Sequence, residues 1–190
     1  MKMVTRHTKM APAEIQRELQ RLWVPCTVMN PETGEAALTN YAGSITPVRA
    51  FPDAAKHRVN INVEVPLDWI AGKDAWAYPV FFTDVARYGY TRWGIRYTPM
   101  VKDMSIVAVP ITIENNVMAD GTGIVNPPKS EWLTLGGSGW AAAEPSFQRD
   151  NFTQLVTVSM QLYRDGNSVL DVHIGTCYLL GLAIVYPAFI

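Results

Sequence analysis

The sequence predicts an all-β chain, a β-sandwich or jelly roll of about eight or nine antiparallel strands preceded by one short N-terminal α-helix. Three observations predict it. Apolar and polar residues alternate at period two in several segments after Pro25, and Gly, Pro, Asn and Asp punctuate those segments at short intervals. A helical stripe occurs once, ahead of Pro25, so there is no alternation of strands with helices to build a parallel sheet. At 190 residues the chain suits one domain. The expected division is a mobile basic arm over 1–10, an amphipathic helix over 11–24, and a single β-sandwich domain over 25–190.

The helix is read from Pro12, which suits a first helical position, and from Ile15, Leu19, Leu22 and Trp23 at i, i+4, i+7 and i+8. Glu14, Arg17, Glu18 and Arg21 lie off that stripe, and Pro25 restricts Val24 and ends the run. Residues 26–30 and 35–40 then read as a hairpin around Asn30-Pro31-Glu32-Thr33-Gly34, with Pro31 presetting the turn and Gly34 supplying a positive φ. Val59, Ile61, Val63, Val65 and Leu67 alternate with Asn60, Asn62, Glu64 and Pro66, a half-buried strand. Residues 76–85 and 92–98 are aromatic-rich strands. Val107, Val109, Ile111 and Ile113 share one face of another, where Pro110 argues for an edge or a bulge. Residues 152–163 and 167–176 read as a last hairpin around Arg164-Asp165-Gly166. A three-residue loop sets Met160 opposite Leu170, Val158 opposite Val172 and Val156 opposite Ile174, leaving Thr157, Ser159, Gln161, Asp171 and His173 on the other face.

Charge is sparse. Asp, Glu, Lys and Arg make up 17% of the chain, against about 25% in an ordinary soluble domain, and the net charge is −1. Between Met104 and Ser146 the only ionised groups are Glu114, Asp120, Lys129, Glu131 and Glu144. Interface cores lose charge and gain Trp, Tyr and Met, so part of this surface is expected to be covered by other subunits. The residues expected to carry that contact are Ile15, Leu19, Leu22 and Trp23 on the helix, together with Trp140, Tyr186 and Phe189. From Val172 to Ile190 there is no charged residue, which fits a strand buried on both faces, a segment inserted in a neighbour, or a membrane span. His173, Thr176 and Pro187 within that stretch argue against the membrane.

No catalytic residue, metal or cofactor is expected. His7, His57 and His173 are scattered, and Cys26 and Cys177 lack any CxxC spacing and read as buried free thiols. Gly136-Gly137-Ser138-Gly139 lacks the Lys-Ser/Thr of a phosphate loop. Lys2, Arg6, His7 and Lys9 are followed by no apolar run, so no secretory signal is expected, and three basic side chains would neutralise few phosphates, so any nucleic-acid contact is weak. The rival to a structural role is a carbohydrate-binding module in which Trp69, Trp76, Trp93, Trp132 and Trp140 supply a sugar-stacking platform.

A short basic arm, one amphipathic helix and eight or nine strands ending in a long hairpin resemble the single jelly-roll subunits of icosahedral virus and phage particles, capsid and decoration proteins included. The resemblance covers most of the chain as architecture and rests on no diagnostic motif. It implies a virion protein, assembled in a host cytoplasm, that associates with itself or with other virion proteins and needs no cofactor. The weakly charged arm favours a phage shell, vertex or decoration protein over an RNA-virus coat.

Overall fold

The computed structural model describes residues 17–32, 35–66, 68–69, 74–85, 88–100, 110–119, 123–125, 127–135 and 157–189. Eleven strands lie among them: β1 (Arg17–Pro25), β2 (Asn30–Pro31), β3 (Leu38–Asn40), β4 (Pro47–Phe51), β5 (Lys56–Glu64), β6 (Trp76–Thr83), β7 (Gly89–Met100), β8 (Ile111–Ala119), β9 (Leu133–Thr134), β10 (Thr157–Asp165) and β11 (Cys177–Phe189). They form two antiparallel sheets. Sheet A runs β3-β4-β11-β6-β9, with β1 also paired to β11, and sheet B runs β2-β5-β10-β7-β8. The all-β sandwich is therefore as the sequence predicts.

Period-two alternation places the core between the sheets. Val59, Ile61 and Val63 of β5 and Val158, Met160 and Leu162 of β10 point inward, meeting Phe81 of β6 and Leu179, Leu182 and Ile184 of β11. Trp93 is wholly buried between Phe51 and Phe81, its ring centroid 5.1 and 5.2 Å from theirs. The uncharged run near the C-terminus becomes β11, which pairs with β6 along one edge and with β4 and then β1 along the other. No helix among the described residues is long and apolar enough to cross a membrane.

Three expectations are corrected. Residues 17–25 are not helical. They form β1, whose Leu22 and Val24 face Ile184 and Leu182 in the core register while Arg21 and Trp23 lie opposite Val185 and Ala183 on the outer side. The exposed edge of β11 offers a full ladder of backbone partners, and that tertiary gain outweighs a modest helical propensity. The arm and the rest of the expected helix, Ile15 included, lie outside the described residues.

The expected hairpin over 26–40 is not formed either. β2 pairs with β5 in sheet B and β3 pairs with β4 in sheet A, so the chain crosses between sheets here. Buried Arg49 organises the crossing. Its Nε donates to the Cys26 carbonyl (3.2 Å), its Nη1 to the Ala36 carbonyl (3.3 Å) and its Nη2 to the Met29 carbonyl.

The third correction is the C-terminal hairpin. β10 lies between β5 and β7, and residues 167–176 form a loop that leads to β11 in the other sheet. Its alternation survives with the faces exchanged: Asp171 and His173 are buried, while Leu170, Val172 and Ile174 are exposed.

Candidate functional site: an inverted loop and an aromatic sheet face

The cause of the inversion is Arg164. It continues the inward row of β10 after Val158, Met160 and Leu162, which carries a guanidinium to the end of the core. Burying an unpaired charge is prohibitive, so the following loop wraps around it. Nε and Nη2 clamp the Asp171 carboxylate at 2.8 and 2.9 Å, Nη1 donates to the carbonyls of Phe51 (3.0 Å) and Gly175 (2.6 Å), and Nη2 also donates to that of His173 (2.7 Å). All five guanidinium N–H groups thus have an acceptor. Burial alone would lower the Arg164 pKa, but the hydrogen-bonded Asp171 and nearby negative charge outweigh it and hold it above its ordinary value.

Further bonds lock the loop. Asp171 also accepts from the Arg92 backbone N–H at 3.0 Å, and the Val172 and His173 N–H groups both reach the Tyr90 carbonyl. Gly175, at φ +141°, donates to Asp53 (3.1 Å), and the Thr176 N–H donates to Asp84 (2.9 Å). Gly166 packs so tightly on the Asp53 backbone that a Cβ there would sit 2.1 Å from its carbonyl oxygen. The outward groups are Val169, 91% exposed, then Leu170, Val172 and Ile174, each about half exposed, beside exposed Tyr88 and Tyr90.

The outer side of sheet A is a second apolar region. Tyr78, Val80, Ala183 and Val185 form a small buried cluster there, with Trp76, Trp132 and Leu180 packed against it. Trp132 stacks on Tyr78 at 4.7 Å. Trp23 lies over Gly181, where an added Cβ would come within 2.4 Å of its Cζ2, and it remains 42% exposed. The Arg21 guanidinium stands between two rings, 5.5 Å from that of Trp23 and 5.7 Å from that of Tyr78, and Lys129 Nζ is 4.7 Å above Trp76.

The outer side of sheet B is polar. Tyr163 lies over Gly94 and donates its hydroxyl to Glu114 (2.5 Å). Lys56 covers its ring at 3.9 Å and bonds Asp165 at 3.1 Å. Arg92 pairs with Glu114 at 3.0 Å, and Arg58 pairs with Glu32 at 2.8 Å and Glu35 at 3.3 Å. The Tyr163 hydrogen bond, then Arg92 and Lys56, hold the Glu114 carboxyl below its ordinary pKa against the opposing effect of burial.

The residues expected at an interface are thus dispersed. Leu19 and Trp23 are exposed on β1. Leu22 and Tyr186 instead line a wholly apolar pocket at the opposite end of the sandwich from the loop, with Val63, Trp69, Met160 and Ile184. Phe189 ends β11 and faces Arg17 in the register. Trp140 lies outside the described residues. Of the other tryptophans proposed as a sugar platform, Trp69 and Trp93 are buried in the core, while Trp76 and Trp132 stand on the outer side of sheet A. Sequence reasoning missed the inverted loop, although an arginine in an otherwise apolar inward row is a signal of it. Cys26 and Cys177 are buried free thiols, and burial pushes Cys177 up to about 12. Among the described residues no group of three or more His, Cys, Asp or Glu converges to hold a metal ion.

No family model matches the chain, and neither does any curated protein. Among solved structures, it is similar to the crystal structure of a carbohydrate-binding module, CBM28, specific for non-crystalline cellulose, at 12% identity over 86% of this chain and 87% of that one, with a TM-score of 0.30. A likeness of that order carries no argument about function, so the sandwich itself rests on the strand pairing described above.

Proposed function

We propose that this protein is a structural subunit that binds further copies of itself, of the kind that builds or decorates a virus or phage particle. The observation that carries this reading is the inverted loop. Burying Leu170, Val172 and Ile174 would contribute roughly 1.5–3 kcal/mol each. The fold instead buries the Asp171 side chain and His173 and leaves the apolar row outside. The Arg164 clamp fixes that row in one conformation, so docking it costs little ordering entropy. Rigid, solvent-facing apolar side chains on a monomer mark contact sites. Such a subunit needs no catalytic residue, and it would be a jelly-roll protein with a place in the virion.

Sedimentation velocity from micromolar to millimolar protein tests it. The expected result is a mass that grows with concentration, and a Val172→Asp/Ile174→Asp variant that stays monomeric with an unchanged urea midpoint. A wild-type chain that remains monomeric at millimolar concentration overturns the proposal.

A second reading, a saccharide-binding role, is favoured by one observation. Trp23 is laid over Gly181 on the outer side of sheet A with much of its indole open to solvent. Exposed indole next to a sheet offers a stacking surface for a sugar ring.

A further inference from the structure

We infer that the outer side of sheet A around Trp23 is a binding site for an acidic saccharide, a sugar ring bearing a carboxylate; this rests on the second reading above and names its ligand class. The argument starts from where the cations of the two sheets find partners. On sheet B, Lys56, Arg58 and Arg92 meet carboxylates, while exposed Arg96 has none within 4 Å among the described residues and no aromatic ring beside it to make a combined site. On sheet A, Arg21 and Lys129 meet aromatic rings, and neither has a carboxylate within 4 Å among the described residues. A cation over a ring keeps its outward N–H groups available to an anion, and a guanidinium fits a carboxylate through two parallel hydrogen bonds.

The strand register places these groups together. Trp23 and Tyr78 flank Ala183 in one row, and Arg21 and Trp76 flank Val185 in the next. Arg21 and the Trp76–Lys129 pair are therefore two strand spacings apart, about 10 Å. The exposed indole and a cation with no carboxylate partner among the described residues are neighbours on β1, two residues apart on one face. A ligand that uses both needs an apolar ring face and a negative charge on the same small unit, which describes a uronic or sialic acid. A neutral sugar would use the indole alone. A nucleic acid would also stack, but two cations neutralise few phosphates and the chain carries a net charge of −1, so its affinity would be slight.

Intrinsic tryptophan fluorescence and calorimetric titration of the full chain at low salt test this, with trigalacturonic acid as the acidic probe, cellotriose as the neutral one and a dT oligonucleotide as the nucleic acid. Trigalacturonic acid is expected to bind, to weaken with added salt, and to lose roughly tenfold in affinity in Arg21→Gln, whereas Arg21→Lys retains most of it. Trp23→Ala is expected to abolish binding and Trp23→Phe to spare part of it. Equal affinity for cellotriose and trigalacturonic acid, unmoved by Arg21→Gln, overturns the acidic-ligand inference and leaves the saccharide reading standing. Binding of neither saccharide overturns both, and tighter, steeply salt-dependent binding of the oligonucleotide overturns them in favour of nucleic acid.

Discussion

Tyr163 in sheet B and Trp23 in sheet A each lie over a glycine on the outer side of their sheet, Gly94 and Gly181. Tyr163 is wholly enclosed, roofed by Lys56 and tied by its hydroxyl to Glu114, whereas Trp23 has Arg21 beside it and stays 42% exposed. The same backbone device therefore serves two ends. On sheet B the ring is one member of a neutral group of ion pairs, Lys56 and Arg92 with Glu114 and Asp165. On sheet A the ring and its cation leave both their apolar and their electrostatic capacity unspent. The ring on sheet B is shut off from water; the ring on sheet A is not.

The strongest way to break this contrast is Gly94→Ala. The new Cβ would lie 2.3 Å from Tyr163 Cζ, and a ring held from above by Lys56 has nowhere to move. A loss of about 1–3 kcal/mol in urea unfolding is expected, as for other overpacked sites. An unmoved midpoint would mean that Tyr163 is as loosely held as Trp23. Tyr163→Phe is gentler: it removes the bond to Glu114 but leaves Arg92 on that carboxylate. About 1.5 kcal/mol is expected for a hydrogen bond to a charged group, and a double-mutant cycle with Glu114→Gln checks that the two losses are one interaction.

The smallest effect is in the pH dependence. The Glu114 pKa is lowered in the folded state, so its stabilisation is complete above the unfolded value and is lost as pH falls through the folded one. Wild-type stability is expected to decline as pH drops below about 4.5, and Glu114→Gln to flatten that part of the decline. Parallel urea midpoints for the two proteins from pH 6 to pH 3 would show that Glu114 contributes nothing there.

What the sequence made legible follows from which interactions decide each segment. β5 and β10 were readable because alternation alone sets their inward rows, Val59–Ile61–Val63 and Val158–Met160–Leu162. β1 was misread because Leu19, Leu22 and Trp23 fit a helical stripe as well as two sides of a strand. The partner that decides between them, β11, lies more than 150 residues away in the chain. Both misplaced hairpins have one cause. At 26–40 and at 164–176 a buried guanidinium, Arg49 or Arg164, collects carbonyls from a segment that local turn chemistry would have closed into a ladder. The candidate sites were less readable than the fold. Trp23 and Leu19 were named, but the exposure of Val169, Leu170, Val172 and Ile174 depends on a hub that hydrophobic patterning assigns to the wrong side.

The placement of β11 has a consequence for how the molecule comes together during synthesis. All five strands of sheet B are present once Asp165 has been made, but sheet A is then three unconnected pieces: β1, the β3–β4 pair and the β6–β9 pair. β11 follows the other ten described strands in sequence and, among the described residues, is the one that joins these pieces. A ribosome must therefore release every residue from β1 through β11 before sheet A can close, and until then the edges of β1, β4 and β6 lack their β11 partner. Such a late, long-range closure makes for slow maturation, on the millisecond-to-second scale of other non-local β topologies, and for a nascent chain that gains from chaperone shelter.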